Sequence, residues 1–433
     1  MRICIINEFF HPDNTGGTGT VLSNLARELR DRYEHVEIDV VTSRNQYRAE
    51  GGRLPAFENW HDVRIHRLAS PKPGRSTALR LIANLIFSCM SLLHLLRRRR
   101  YDIVLVGTAP PTSPLAALIY KRITGTPYIY VTYDLEPDRA VALGVLGEDS
   151  RFAALLKRLQ RGWFKQASKI VTLGRCMHAH LHTNYQIPKD KLTIIPIGFN
   201  PEQVVPSHKQ TRFRARHGLD GFVVLYAGNF GRYHNFDSIL DAAKALANKG
   251  ITFALIGKGA QRTHILQRVE NEKISNVHVF PFVPFEEFSD MIASADVCLV
   301  TLEKGMEGLC VPSKLYSNMA AGRPTLALVG RESEVAQVVT ESQSGIQIEP
   351  GDTGGLVQVL TRLAACPEET ERMGANARRT LESQYSTKII AATYYRLFVE
   401  VLQRQQHSDV LREIPLAVVH TREEDKKSTL NVG

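Results

Sequence analysis

The sequence predicts an α/β protein made of two parallel-sheet domains. Short apolar runs alternate with amphipathic segments along most of its 433 residues, as they do in repeated strand–helix–strand units. The chain is also too long for one typical hydrophobic core. A polar and basic stretch over 204–220 divides the two sets of units. We therefore predict a first domain over 1–203, a linker over 204–220 and a second domain over 221–387.

The composition is that of a globular protein with a basic surface. Hydrophobic residues make up 43% of the chain and charged residues 23%, and the net charge is +10. This charge favours anionic partners such as nucleotide phosphates or acidic lipid, and a solvated basic surface is the alternative. Nucleic acid would account for the charge but for none of the glycine-rich loops, so we predict no nucleic-acid partner.

The cysteines indicate a reducing compartment. The six are scattered, at positions 4, 89, 176, 298, 310 and 366, and no pair has the spacing of a metal site. A cytoplasmic location is therefore expected in preference to a disulfide framework. The first residues, 1–6, form an apolar run that is too short for a signal peptide and leads directly into a strand.

The first domain begins as a βαβ unit. Its predicted elements are a strand over 2–7, a glycine-rich loop over 11–20, a helix over 21–30 and a strand over 36–42. Because a helix joins the two strands, the sheet is expected to be parallel. The loop is neither a Gly-x-Gly-x-x-Gly fingerprint nor a Walker loop, and on its residues alone a flexible connection is the simpler interpretation.

The longest apolar segment, 81–96, is a predicted helix with arginines on both sides. It is shorter than the roughly 20 residues that cross a bilayer. Small polar residues form a narrow stripe along it: Asn84, Ser88 and Ser91. Two alternatives remain, a helix packed on the sheet and a helix lying in the membrane interface with its arginines at anionic headgroups. We favour the second and predict peripheral contact with an anionic membrane through residues 80–100.

A carboxylate cluster follows the predicted strand over 127–132. Its members are Asp134, Glu136 and Asp138. Ligands of open α/β sheets bind at the carboxyl ends of strands, so the cluster is a candidate site. Helix capping by Asp134 or Asp138 is the structural alternative. Further strands of this domain are predicted over 102–107, 169–173 and 192–196, with a helix over 155–167.

The second domain repeats a strand followed by a glycine loop. A strand over 222–227 precedes the loop 228–235, and a strand over 251–256 precedes Gly257-Lys258-Gly259. Such loops suit phosphate, because backbone N–H groups at the start of the next helix point at the ligand. In the first loop Arg232 can bind two phosphate oxygens at once. Lys258 is a second candidate cation, with a solvated loop lysine as the alternative.

The remaining strands are predicted over 277–282, 295–302, 325–329 and 345–348, and the helices over 236–249, 288–295, 313–321, 353–364, 367–382 and 389–405. Glu307 stands in the loop after the strand 295–302, and Gly308 lets the backbone approach a ligand. Pro312 suits the first turn of the following helix. Free N–H groups at that helix start attract an anion, and Lys314 and Arg323 add positive charge. An ordinary strand-to-helix turn is the alternative.

The stretch 307–324 resembles a known motif. It reads Glu-Gly-Leu-x-Val-Pro-Ser-Lys-x-Tyr and ends Ala-Ala-Gly-Arg-Pro. This is similar to the retaining glycosyltransferases of family 4, closest to a Pro-Ser-Lys subset of bacterial cell-surface polysaccharide enzymes. The resemblance extends over about residues 2–405, and only 307–324 is highly specific. It implies the GT-B fold, with two Rossmann-like domains facing a cleft and a helix over 388–405 that crosses back to the first domain. Residues 406–433 are expected to be a disordered tail.

The resemblance implies a site for a nucleoside diphosphate sugar in the second domain. Catalysis is assigned to Glu307, which orients the sugar, and to Arg232 and Lys258, which stabilise the leaving group. The donor-binding residues that it implies are Gly16, Gly17, Asn229, His234, Gly257, Phe282, Gly308, Leu309, Cys310, Val311, Lys314, Ser317 and Glu334.

Three of these positions depart from the commonest family pattern. Asn229 and His234 stand where the family has Arg and Lys. Ser317 stands where it has the glutamate that holds the ribose, and Glu334 is a candidate substitute. On the acceptor side we single out His11 and Asp134, the latter because Asp-Leu-x-Pro at 134–137 resembles a family motif.

The predicted function is sugar transfer with retention, by a hexosyltransferase-type enzyme of cell-surface polysaccharide synthesis. The expected partners are a nucleoside diphosphate sugar and a glycan or polyprenyl-diphosphate-linked acceptor. No Asp-x-Asp metal motif is present, so no cofactor and no obligatory metal are expected. The expected location is cytoplasmic and peripheral, at the inner face of the plasma membrane. The alternatives are an inactive membrane-associated scaffold or binding protein of the same fold, an inverting GT-B enzyme, and a sugar-nucleotide epimerase.

Overall fold

The computed structural model describes residues 1–12, 17–45, 53–71, 77–98 and 100–413. Gly16, predicted to bind the donor, therefore lies outside the described residues, as does the predicted tail from 414 onward. Two sheets, one in each half of the chain, organise the described part.

The first half supplies eight strands and six helices to the described fold. In chain order these are β1 (Arg2–Ile6), α1 (Gly17–Arg32), β2 (Glu37–Ser43), β3 (Phe57–Trp60), β4 (Val63–Leu68), α2 (Thr77–Arg97), β5 (Ile103–Val106), α3 (Ser113–Thr124), β6 (Tyr128–Thr132), α4 (Asp138–Ala142), α5 (Arg151–Gln166), β7 (Lys169–Thr172), α6 (Arg175–Tyr185) and β8 (Leu192–Ile194). The strand order is β3-β4-β2-β1-β5-β6-β7-β8. All neighbours are parallel except β3 and β4.

The second half forms a six-stranded, fully parallel sheet in the order β11-β10-β9-β12-β13-β14. Its elements are α7 (Arg212–His217), β9 (Phe222–Ala227), α8 (Asp237–Ala245), β10 (Ile251–Ile256), α9 (Arg262–Asn271), β11 (Val277–Phe280), α10 (Phe285–Ala293), β12 (Val297–Thr301), α11 (Lys314–Ala320), β13 (Thr325–Leu328), α12 (Glu334–Glu341), β14 (Gly345–Ile348), α13 (Thr353–Ala365), α14 (Pro367–Thr380) and α15 (Thr387–Glu413). The strands read as continuous apolar runs because parallel sheets are covered on both faces. The predicted α/β class with two parallel-sheet domains is confirmed.

Part of the predicted linker belongs to the second domain. Residues 212–217 form α7, whose Phe213 and Arg214 side chains are buried. The Arg214 guanidinium pairs with Asp296 at 3.4 Å, and the Asp296 carboxylate also accepts the Val223 backbone N–H at 2.8 Å. This basic, polar stretch can therefore be buried because Arg214 is paired with Asp296. The composition of the stretch does not reveal this pair.

The last helix packs against the first domain. Tyr395 of α15 stacks on Tyr33 with ring centroids 3.9 Å apart, and Glu400 pairs with Lys169 at 3.0 Å. The helix continues to Glu413, so residues 406–413 are helical where the sequence analysis expected a disordered tail.

Helix α2 presents its polar stripe, together with Ala83, Phe87 and Leu95, to the protein and presents a set of large apolar side chains to the outside. Ser88 is buried, and its Oγ lies 2.8 Å from Thr112 Oγ1, at the start of α3. Six large apolar side chains of α2 are exposed by 37–57%: Leu79, Ile82, Leu85, Ile86, Leu93 and Leu96. The helix has 21 residues, and its segment Leu79–Arg97 is long and apolar enough to cross a membrane. The argument from length against a spanning helix was therefore wrong.

Candidate active site between the two domains

The topology marks one position in each sheet where a ligand is expected. Strand addition reverses direction between β1 and β5 in the first sheet and between β9 and β12 in the second. Ligands of open α/β sheets bind beside the carboxyl ends of strands at such switch points. The predicted donor loops 228–235 and 307–311 follow β9 and β12, and His11 follows β1. Both predicted half-sites therefore lie at switch points.

Glu307 is held in a fixed orientation between two loops. Its Oε2 accepts a hydrogen bond from the Gly305 backbone N–H at 2.8 Å. Its Oε1 lies against Gly330, the residue two positions after β13, where a Cβ would collide with this oxygen. A half-buried carboxylate fixed in this way can orient a sugar hydroxyl, because positioning requires a group that does not itself reorganise.

The residues after Glu307 are joined to the first domain by backbone pairing. Leu135 N–H donates to the Leu309 carbonyl at 2.9 Å, and Asp134 and Cys310 form an isolated antiparallel bridge. Gly308 has φ +75°, and a Cβ on it would lie 3.0 Å from the Cys176 carbonyl oxygen at the start of α6. Only glycine fits both requirements. The predicted donor loop and the predicted acceptor carboxylate thus meet at one place.

Asp134 is held by Arg139, a residue that the sequence analysis did not single out. The Arg139 guanidinium binds Asp134 Oδ1 at 2.8 Å and Glu136 Oε1 at 2.6 Å. It also lies 5.8 Å from the ring centroid of Tyr233, in the loop after β9. Burial raises the pKa of Asp134, and Arg139 opposes this shift. The three-residue spacing of Glu136 and Arg139 at a helix start is the sequence signal that would have found it.

In the loop after β9 the predicted phosphate ligands lie in different environments. Arg232 is exposed and Asn229 is half-buried. His234 is buried, and its Nδ1 lies 2.5 Å from the Thr301 carbonyl. Burial lowers the pKa of His234 well below its ordinary value, so the ring is neutral. His234 therefore does not supply the cation that the family pattern places at this position.

The loop after β10 packs against the loop after β9. Phe230 N–H donates to the Lys258 carbonyl at 2.8 Å, and a Cβ on Gly257 would collide with the Gly228 carbonyl oxygen. The Lys258 side chain is exposed, and Phe282, predicted at the nucleobase, is half-buried two residues after β11. These positions do not test the roles predicted for Lys258 and Phe282, which stay predictions.

The structure does not favour Glu334 as a ribose ligand. Its buried carboxylate accepts the Arg175 backbone N–H at 2.6 Å and lies 3.5 Å from Arg175 Nε. Arg175 begins α6 of the first domain, so this pair connects the two domains. Ser317 is also buried, and its hydroxyl donates to the Lys314 carbonyl at 3.0 Å. Arg175 and Glu334 are 159 residues apart, and no local pattern reveals such a pair.

On the first-domain side, His11 and Gly17 occupy contrasting positions. The His11 ring stacks on Trp60 with centroids 4.3 Å apart, and its Nε2 lies 3.9 Å from Glu58 Oε1. Burial lowers the pKa of His11. Gly17 is the first residue of α1, so the predicted glycine loop is shorter than expected. A Cβ on Gly17 would lie 3.8 Å from Ser313 Oγ, which places it against the second domain.

Lys314 is a half-buried basic group of the candidate site that lies against an aromatic ring. Its Nζ donates to Tyr226 Oη at 2.6 Å and lies 4.1 Å from the centroid of that ring. Burial lowers the pKa of Lys314 to about 7. The sequence analysis did not single out Tyr226, the next-to-last residue of β9. A tyrosine inside a buried strand carries no local signal of function.

The described residues contain no group of three or more His, Cys, Asp or Glu side chains arranged to hold a metal ion. Catalysis without a cofactor or an obligatory metal stays a prediction.

Two family descriptions match the chain, one for each domain. Residues 16–198 match the Glycosyl transferase 4-like domain, and residues 207–380 match Glycosyl transferases group 1. The chain is also 30% identical over 294 residues to the probable glycosyltransferase WbjE of Pseudomonas aeruginosa, which covers 68% of this chain and 73% of that protein. The chain belongs to the glycosyltransferases, and its second domain matches those of group 1.

Further similarities agree with this family. WcaI of Escherichia coli strain K12, named for glycosyl transfer in colanic acid biosynthesis, is 24% identical over 332 residues, covering 71% of this chain and 78% of that protein. Sucrose-phosphate synthase of Thermosynechococcus elongatus has a similar fold, with a TM-score of 0.76 at 17% identity over 93% of this chain and 100% of that one. HepE of Anabaena, solved with UDP-glucose, gives a TM-score of 0.68 at 16% identity over 93% and 100%. The predicted GT-B fold of this glycosyltransferase is confirmed.

Proposed function

We propose that this glycosyltransferase moves a hexosyl group from a nucleoside diphosphate sugar to a lipid-linked or glycan acceptor, with retention of anomeric configuration. The observation that carries the proposal is the backbone pairing of Leu309 and Cys310 with Asp134 and Leu135. This pairing holds the loop that carries Glu307 against the segment at the carboxyl end of β6, in the cleft. A donor on the second domain and an acceptor on the first are then in reach of each other.

The proposed chemistry needs few protein groups. The bond between the anomeric carbon and the phosphate oxygen breaks, and the acceptor oxygen bonds to the same face of the sugar. The acceptor proton passes to the leaving phosphate. Glu307 orients the sugar, while Arg232, Lys258 and backbone N–H groups after Glu307 stabilise the leaving-group charge. Electrostatic stabilisation of this kind works without an obligatory metal.

The acceptor side is proposed to work at the inner face of the plasma membrane. The exposed apolar side chains of α2 would enter the interface, and exposed Arg97, Arg98 and Arg100 follow them at the end of the helix. Ser88 and Ser91 are buried on the side of this helix that faces the protein, and the Ser88 hydroxyl contacts Thr112 Oγ1. The similarity to a protein named for colanic acid biosynthesis supports a cell-surface polysaccharide acceptor.

The test is release of nucleoside diphosphate from UDP-, GDP- and dTDP-sugars, with and without an extract of lipid-linked acceptors. We expect one donor to be used, release to rise with the extract, and Glu307→Ala to lower release by about 10³-fold or more, because an orienting group is lost from the reacting centre. Glu371→Ala, an exposed carboxylate on α14, is the matched control and should retain full activity.

Full activity of Glu307→Ala would contradict the proposed site. Conversion of the donor without any acceptor dependence would favour a sugar-nucleotide epimerase, and the absence of both release and nucleotide binding would favour a scaffold.

A further inference from the structure

Lys314 lies where the two loops of the second switch point meet. It begins α11, after β12, yet its Nζ reaches Tyr226 Oη of β9 at 2.6 Å. Gly228, just after β9, makes room for the side chain, since a Cβ there would lie 3.0 Å from Lys314 Cε. The lysine therefore bridges the carboxyl ends of β9 and β12, which is where an open α/β sheet binds its ligand.

Among the described residues, no charged side chain is paired with Lys314. The titratable groups that face it, in the part of the chain that the structure describes, are Tyr226 of β9, His234 of the loop after β9 and Cys310 of the loop before α11. Burial raises the pKa of Tyr226 well above its ordinary value and that of the Cys310 thiol to about 12. Burial also keeps His234 neutral. At pH 7 all three neighbours are uncharged.

The hydrogen bonds around Lys314 hold it in place without neutralising it. The Tyr226 hydroxyl donates to the Asn229 carbonyl at 2.7 Å, so it offers Lys314 only a lone pair. A cation that is partly withdrawn from water without a counter-ion is unfavourable, and the amine accordingly loses its proton more readily than an exposed lysine does. An anion beside Lys314 would supply the counter-charge that these neighbours do not provide.

We propose that Lys314 binds the donor diphosphate as a further cation beside Arg232 and Lys258, in place of the cations missing at Asn229 and His234, and that donor binding charges it by uptake of one proton from solvent. This rests on the proposed function. When the anomeric carbon–oxygen bond breaks, the ammonium of Lys314 stabilises the charge that the departing phosphate oxygen acquires. Lys314 would thus place a positive charge near the positions where the family has its loop cations, although it lies about 80 residues later in the chain.

The test is calorimetric titration of the full-length wild type with UDP, GDP and dTDP at pH 8, in two buffers of different ionisation enthalpy. The nucleotide itself is fully ionised at this pH, since a phosphate takes up its last proton near pH 6. We expect the nucleotide that binds to draw in a substantial fraction of one proton, because a lysine with a pKa near 7 is mostly neutral at pH 8. Affinity should then fall by up to tenfold per pH unit above pH 8.

Two variants separate charge from shape. Lys314→Met keeps the length of the side chain and removes the charge, so we expect binding about tenfold weaker or more at pH 7 and no proton uptake. Lys314→Arg stays charged at all working pH values, and we expect it to bind without proton uptake. Lys249→Met, an exposed lysine after α8, is the control and should behave as the wild type.

Each outcome has a distinct meaning. Wild-type binding without proton uptake at pH 8, a result that needs no variant, would overturn the role of Lys314 and leave the transferase assignment intact. Unchanged affinity in Lys314→Met would do the same. Failure of the wild type to bind any of the three nucleotides or their sugars would overturn the proposed function itself.

Discussion

Helices α2 and α11 depart from the usual burial pattern in opposite directions. Helix α2 exposes leucine and isoleucine side chains while it buries the hydroxyls of Ser88 and Ser91. Helix α11 instead encloses the amine of Lys314 against an aromatic ring. In water alone both arrangements are unfavourable. We propose that each departure is matched by a partner, namely lipid for the exposed apolar face and an anion for the amine of Lys314.

The proposed contact of α2 with lipid is tested by replacing Ile82, Leu85 and Ile86 with serine. All three are exposed, so the fold should be retained, while each lost apolar contact weakens membrane insertion by roughly 1 kcal/mol. We expect partition onto anionic phospholipid vesicles to weaken by about 100-fold, measured by co-sedimentation.

Val205→Ser is the control for this substitution, because Val205 is exposed to a similar extent but lies outside α2. It should bind vesicles as the wild type does. Equal vesicle binding by the triple variant would mean that α2 is covered by something other than lipid.

The role proposed for Lys314, at the start of α11, is tested further by Gly228→Ala. The new Cβ would press on Lys314 Cε, and the positive φ of +152° is one that alanine rarely adopts. We expect about tenfold weaker nucleotide binding, measured by calorimetry, together with a lower melting temperature. Gly250→Ala, with φ +66° and open space around its Cβ, is the matched control: it should lower the melting temperature but leave nucleotide affinity unchanged. Loss of affinity in both variants would show that backbone strain, and not the lysine, is responsible.

The smallest expected effect comes from the buried stripe of α2. Ser88→Ala removes the contact with Thr112 Oγ1 and the hydrogen bond to the Asn84 carbonyl, so the free energy of unfolding should fall by about 1–2 kcal/mol in denaturant titration. Vesicle binding should not change, since Ser88 faces the protein. A loss of vesicle binding at unchanged stability would reverse the orientation assigned to this helix.

Local patterns predicted the elements of the second domain well. The strand before Glu307, the turn at Gly308 and the helix after Pro312 follow one another directly in the sequence, and they were found because each depends on its neighbours. The periodicity of α2 likewise predicted a polar stripe. It did not show which side faces the protein, because that depends on the residues of α3 against which the helix packs.

Contacts between distant segments account for what the sequence did not reveal. The engagement of Glu334 by Arg175 joins positions 159 residues apart. The burial of Arg214 depends on Asp296, 82 residues later. The placement of Lys314 on Tyr226 spans 88 residues. Each of these requires the folded arrangement of the sheets, and none leaves a local signal.

In the proposed reaction a sugar crosses the cleft from a nucleotide to an acceptor. The most direct measurement is mass spectrometry and NMR of the acceptor after incubation with the donor that supports nucleotide release. We expect an acceptor heavier by one hexose, in which the sugar keeps the anomeric configuration that it had in the donor. An unmodified acceptor despite nucleotide release would contradict transfer, and an inverted linkage would contradict same-face attack.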